Sequence, residues 1–248
     1  MKKMVLLAAL AAATLAGLGI WWLAFRDTSG LVAGEAASTP VSLRAPGVPE
    51  PGLYVYAATG SESVDVLGGE RHAFRRRTAV TVRPAGCGFV LRYDFLRGRS
   101  TTREYCPSVD GLRVSRSVEV HTFFGRREVT DYRCTDASTA RPAEDRPEAK
   151  LGWSCTTGTK TETAAGEVVG IEELAVAGAP VETVHLRVAT RLAGVSRGEG
   201  GADVWLSRST GLPVRVVAWN DNVTDSPIGP VRYRERFELD LQSLRPRP

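Results

Sequence analysis

Between Leu53 and Leu241 the apolar residues return at every second position in short runs. That period restricts the chain to β-strands with one buried face. Leu112, Val114, Val118 and Val120 alternate with Arg113, Ser115, Ser117 and Glu119, with Arg116 breaking the apolar side. Val184, Leu186 and Val188 alternate with His185 and Arg187. Tyr233, Phe237, Leu239 and Leu241 oppose Arg232, Arg234, Arg236, Glu238 and Asp240, with Glu235 as the exception on the apolar side. Further runs cover 53–57, 78–82, 89–95, 201–207 and 212–219. Glu172 to Ala177 is the one place where a helical turn is expected, and Asp136 to Lys150, polar and holding two prolines, reads as an exposed loop. About ten strands exceed what a flat sheet carries without curling. The expected fold is therefore all-β, a single strongly curved antiparallel sheet forming a partial barrel or a sandwich.

Ahead of that pattern stands a different segment. Lys2 and Lys3 precede an uncharged stretch from Met4 to Phe25, which includes Leu6, Leu10, Leu15, Trp21 and Trp22. About 20 apolar residues span a bilayer core as a helix, with the indoles at headgroup level and the lysines on the cytoplasmic side. A cleaved signal peptide fits the same positive start. The length of the run and its bulky end favour a retained anchor. Either reading delivers the remainder outside the cytoplasm. The expected organisation is an anchor or signal over residues 1–26, a Pro/Gly/Ala/Ser linker over 27–51, and an extracytoplasmic β domain over 52–248.

Charge excludes one partner class. The chain holds 32 Lys and Arg against 28 Asp and Glu, and Lys2, Lys3 and Arg26 flank the first segment. The rest is close to neutral, so it lacks the footprint of a nucleic-acid binder. The four cysteines, Cys87, Cys106, Cys134 and Cys155, stand too far apart for a zinc site. In an exported domain they point to disulfides. Four cysteines allow three pairings. Cys87–Cys106 with Cys134–Cys155 is favoured, because each bond then staples neighbouring strands or closes a loop.

Catalytic, metal and cofactor motifs are not legible. His72, His121 and His185 have no ligand spacing, no GxSxG elbow occurs, and Glu172 and Glu173 point to opposite faces if extended. Gly198 to Gly201 reads as a hairpin turn. Aromatic residues are the more suggestive feature: Phe123, Phe124, Trp205, Trp219 and Phe237 are candidates to line an apolar pocket in a curved sheet, and packing in the core is the competing reading.

Val204-Trp205-Leu206-Ser207 followed by Ser209-Thr210-Gly211-Leu212-Pro213-Val214-Arg215, and the closing Tyr233 to Pro246 segment, resemble the C-terminal part of the lipoprotein-carrier superfamily. The resemblance covers the last fifth of the chain. It implies a half-closed β-barrel over helices with a cavity for acyl chains. The chain departs from that superfamily in lacking a lipobox cysteine and evident capping helices. The expected function is a non-enzymatic envelope module that binds a lipid or other apolar ligand. The alternatives are an interaction module for an envelope partner protein and, third, an envelope hydrolase using His121 or His185.

Overall fold

A computed structural model describes residues 47–247. The apolar segment with Leu6, Leu10, Leu15, Trp21 and Trp22, and most of the expected linker, lie outside the described residues. The strands are β1 (Gly52–Val64), β2 (Glu70–Ala73), β3 (Arg77–Ala85), β4 (Gly88–Leu96), β5 (Arg99–Ser108), β6 (Gly111–Phe123), β7 (Arg126–Cys134), β8 (Thr139–Pro142), β9 (Lys150–Thr156), β10 (Lys160–Val176), β11 (Ala179–Gly194), β12 (Ser196–Ser207), β13 (Pro213–Thr224) and β14 (Val231–Leu241).

All pairings are antiparallel. The order runs β10-β11-β12-β13-β14-β1-β3-β4-β5-β6-β7-β9, and β9 pairs back onto β10, so twelve strands close a barrel. Two short strands stand off this ring: β2 pairs β1 above the start of β3, and β8 bridges β6 and β9. Closure removes the free edges that an open sheet would expose. Extra residues on β10, β13, β4 and β6 supply local bends.

Both expected disulfides form, Cys87–Cys106 and Cys134–Cys155. Cys134 and Cys155 face each other at the β7–β9 seam, where only Arg133↔Thr156 and Cys134↔Cys155 are in register.

The interior is graded. At the end where β1 begins, Tyr54, Tyr56, Val80, Val82, Phe89, Leu212, Val214, Leu239 and Leu241 fill the barrel and are buried. The Tyr56 hydroxyl donates to the Pro213 carbonyl at 2.6 Å, which satisfies its one polar atom in the core. Two segments seal this end. Gly47 N donates to the Ser209 carbonyl, and Arg247 N to the Leu53 carbonyl at 2.8 Å. The far end, where β1 finishes, is the mouth.

Outward positions carry charge on strand after strand. Arg116 pairs Asp131 across β6–β7, Arg232 pairs Asp221 across β13–β14, and Arg187 pairs Asp203 across β11–β12. Pairs this exposed contribute little to stability, because solvent screens them. Together they make a wet surface, unlike the apolar band a membrane-spanning barrel presents to lipid.

Four expectations change. The helical turn expected at Glu172 to Ala177 is instead the end of the 17-residue strand β10, through Val176, with Ala177 in the turn that follows. Its Ala and Glu content hid it, because β-propensity is a weak prior against the ladder that Glu172 to Val176 makes with β11. Asp136 to Lys150 is not a free loop: it holds β8, with Ser138 and Ala149 buried. Gly198 to Gly201 lies inside β12 rather than at a turn. A Cβ at Gly198 would meet the Asp221 carbonyl at 2.3 Å, and one at Gly200 the Asn220 Oδ1 at 2.3 Å. These glycines therefore let β13 approach closely.

The fourth concerns β6. Tyr105 pairs Val114 and Glu104 pairs Arg116, so Ser115 is an extra residue. The bulge exchanges the faces of the strand beyond it. Arg116, Val118 and Val120 therefore turn outward, while Ser117, Glu119 and His121 turn into the lumen.

Candidate functional site

Charged residues occupy inward positions near the mouth, where the strand period alone would place apolar ones. Glu62 projects from β1, Arg99 from the start of β5, His121 from β6 and Glu235 from β14. Arg99 is only 4% exposed, Glu62 1% and Glu235 3%. Charges buried this deeply persist only when paired and hydrogen-bonded. The Arg99 guanidinium forks onto Glu235, Nε to Oε1 at 2.9 Å and Nη2 to Oε2 at 3.1 Å. Its Nη1 donates to the Thr101 hydroxyl at 2.7 Å and to the Ser100 carbonyl. Phe95 lies 5.1 Å beneath it.

Glu62 is the hub of this network. Its Oε1 accepts from His72 Nδ1 at 3.0 Å. Its Oε2 accepts from His121 Nδ1 at 3.1 Å and from the Tyr233 hydroxyl at 3.2 Å, with Arg99 Nε 3.6 Å away. One carboxylate thus ties β2, β5, β6 and β14 together across the barrel. His72 also donates through Nε2 to Glu70 at 2.9 Å and stacks on Phe123, ring centres 4.9 Å apart. The Phe124 backbone N–H donates to Glu70. The β1–β2 hairpin is thereby latched to the β6–β7 hairpin.

The latch has a pH signature. Burial pushes the Glu62 carboxyl up. The hydrogen bonds from His121 and His72, with the charges of His121 and Arg99, outweigh burial and hold it at about 2. Its hydrogen bond to Glu62 raises His72 against the effect of burial. His121 is lowered by burial and by Arg99 but raised overall by Glu119 and Glu62. Stability from Glu62, about 3 kcal/mol at full ionisation, is present above its ordinary value of 4.5 and lost as pH falls toward about 2. Stability from the histidines is present below their ordinary value of 6.5 and lost as pH rises through their higher folded values. The melting temperature is expected to peak between these two ordinary values and to fall on both sides. A profile that stays flat from acid to alkaline pH contradicts the network.

The network forms part of the wall of a cavity of about 160 Å³, which Arg99, His121, Tyr233 and Glu235 line together with Tyr93, Arg103, Glu119, Tyr132, Trp153 and Glu162, and Phe237 lies on another part of the wall. It reaches solvent beside Arg191 and Glu199, an exposed pair 3.3 Å apart. Arg103 lies over the Trp153 ring at 5.7 Å. Trp153 Nε1 donates to Glu162 at 2.8 Å. Burial and the neighbouring Glu119 raise Glu162, against the pull of Arg103. Glu119 is pushed up by burial but held at about 2 by His121, Arg99 and Arg103.

The five aromatic candidates divide. Phe237 lines the cavity. Trp219 borders it only from the barrel wall: it pairs the outward Arg236 and is 41% exposed. Phe123 packs under the latch against His72 and Tyr233, and Phe124 sits exposed at the hairpin tip. Trp205 lies on the outside, stacked on His185 at 4.2 Å, where its Nε1 donates to Glu172. His185 bridges Glu172 and Asp203, each at 2.7 Å, in the same outer cluster. No group of three or more His, Cys, Asp and Glu able to hold a metal occurs among the described residues.

The sequence reading missed Glu62, Arg99, Arg103, Glu119 and Glu162. The usable signal was a charge at an inward register position, of which Glu235 is the example visible in the alternation itself.

No family model matches the chain, and no curated protein matches it. Solved structures similar to the chain include two lipoproteins. One is the hypothetical lipoprotein YmcC from Escherichia coli K12, 12% identical, with 78% of this chain and 89% of that chain covered and a TM-score of 0.28. The other is a provisionally named lipoprotein from Parabacteroides distasonis, 9% identical, with 80% and 97% covered and a TM-score of 0.33. The overlap is too loose to place this chain in a family.

Proposed function

We propose that the chain is a membrane-tethered envelope protein whose barrel binds a small, partly polar ligand in its lumen. The tether is the segment from Met4 to Phe25, and the two disulfides fit the oxidising side of the membrane. The observation that carries the ligand reading is Arg103, which lines an open cavity and has no hydrogen bond or ion pair among the described residues. A guanidinium offers five donors, and a structural arginine in this position would be saturated as Arg99 is.

Size and lining separate this reading from acyl-chain carriage. An engineered cavity of roughly 150 Å³ holds a benzene, and the lumen is close to that at about 160 Å³. An acyl chain needs more room and a wall without this many charges. The half-closed barrel implied by the lipoprotein-carrier resemblance differs here too, because the described barrel closes fully and holds no helix.

The test uses the full-length chain in detergent. Thermal shift is read against two extracts, one of water-soluble metabolites and one of lipids. A rise in melting temperature with the soluble fraction, together with a change in tryptophan emission, supports the proposal. A rise with the lipid fraction alone returns the lumen to acyl chains. Silence with both favours a module that binds other envelope proteins.

A further inference from the structure

We infer that the lumen takes a small zwitterion, its carboxylate on Arg103 and its ammonium between Glu119 and Glu162. The inference rests on the ligand-binding reading above and adds the chemical class. Three observations converge on it.

The first is the contrast between the two lumenal arginines. Arg99 forms five polar contacts within 3.6 Å. Arg103, four residues further along β5, has none among the described residues, and its guanidinium lies over the face of Trp153. Its donors open into the cavity, where an oxyanion can accept two of them side by side.

The second is the state of the carboxylates. Glu119 has no hydrogen bond, and its nearest cation is His121 Nε2 at 3.9 Å. Glu162 has one hydrogen bond, from Trp153 Nε1. Each keeps unused acceptor sites, and their mutual repulsion contributes to raising Glu162. An ammonium between them relieves that repulsion.

The third is separation. Arg103 and these carboxylates share one cavity, yet none lies within ion-pair distance of it. A simple anion placed against Arg103 would also face two carboxylates, and a simple amine would also face a guanidinium. A molecule carrying both charges, turned one way, satisfies Arg103, Glu119 and Glu162 together. The Trp153, Tyr93 and Tyr132 rings are placed to cover its hydrocarbon part and to favour a cation. The volume of about 160 Å³ suits a molecule of amino-acid size.

The experiment is calorimetric titration of the full-length chain with a panel of α- and ω-amino acids, which varies the spacing of the two charges. For the tightest member, the carboxylate lacking the amine and the amine lacking the carboxylate are titrated alongside. The zwitterion is expected to bind at least tenfold more tightly than either half. Arg103→Gln and Glu162→Gln should each weaken it by about tenfold or more, and Arg103→Lys should recover part of the loss. Circular dichroism and melting of each variant separate lost binding from lost fold. If Arg103→Gln does not fold, Glu162→Gln and Glu119→Gln carry the same comparison. Equal binding of one half-molecule overturns the zwitterion while leaving the ligand-binding lumen intact. Silence across the whole panel also overturns it, and the two-extract experiment then judges the lumen separately.

Discussion

Arg99→Met is expected to cost about 3–5 kcal/mol, because it leaves Glu235 without its fork and Glu62 without its nearest full positive charge. Ordinary domains hold about 5–15 kcal/mol in total, so the variant should lose a large part of its folding stability. Its denaturation midpoint at neutral pH reads the effect. The sign of a companion substitution separates a buried ion pair from a merely packed side chain. Arg99→Met combined with Glu235→Leu removes the fork as a unit and should be markedly more stable than Arg99→Met alone. If the single variant falls within about 1 kcal/mol of the parent, the lumenal charges are solvated and the buried network is wrong.

Replacing Cys134 and Cys155 together with serine should destabilise by about 3 kcal/mol, the chain-entropy value for a loop closed over 21 residues. The Cys87–Cys106 bond closes a similar separation of 19 residues, so the same arithmetic gives it a similar loss. The two variants should nevertheless differ in kind. Cys106 lies on β5, which is laddered along its length to β4 and β6. Cys134 and Cys155 are one of only two register pairs on their seam. Without that bond the ring is expected to part between β7 and β9. Hydrogen exchange should then rise along β7, β9 and the adjoining part of β10, whereas Cys87→Ser with Cys106→Ser should leave that region protected. Uniform exchange in both variants would mean that β8, bridging β6 and β9, holds the seam unaided.

The alternation from Tyr233 to Leu241 placed β14 and its inward face directly, and the same rule located β11 and β13. A curved antiparallel sheet followed from the number of such runs. The cysteine pairing was legible because each pair spans neighbouring strands. What the rule could not see was a change of phase. One extra residue at Ser115 inverted β6, so Val118 and Val120, which look like core, lie outside, and His121 lies inside. The rule also equates inward with apolar. The lumen breaks that equation at Glu62, Arg99, Arg103, Glu119, Glu162 and Glu235, which sit at inward positions of different strands and become intelligible only when closure brings them together. Glu235 was visible as an exception, but its partner is 136 residues away on β5. Trp205 and Trp219, on the two strands of one hairpin, both take outward positions, so neither supplies the aromatic lining expected of it.

The polypeptide enters at one pole of the barrel and its last described residues return to the same pole, against Leu53 and Ser209. The opening by Arg191 and Glu199 lies at the other. The tether proposed upstream of residue 47 would therefore hold the vessel by its base. Held so by the proposed anchor, the rim would look away from the lipid, and solutes would reach it from the aqueous side without first crossing the headgroups.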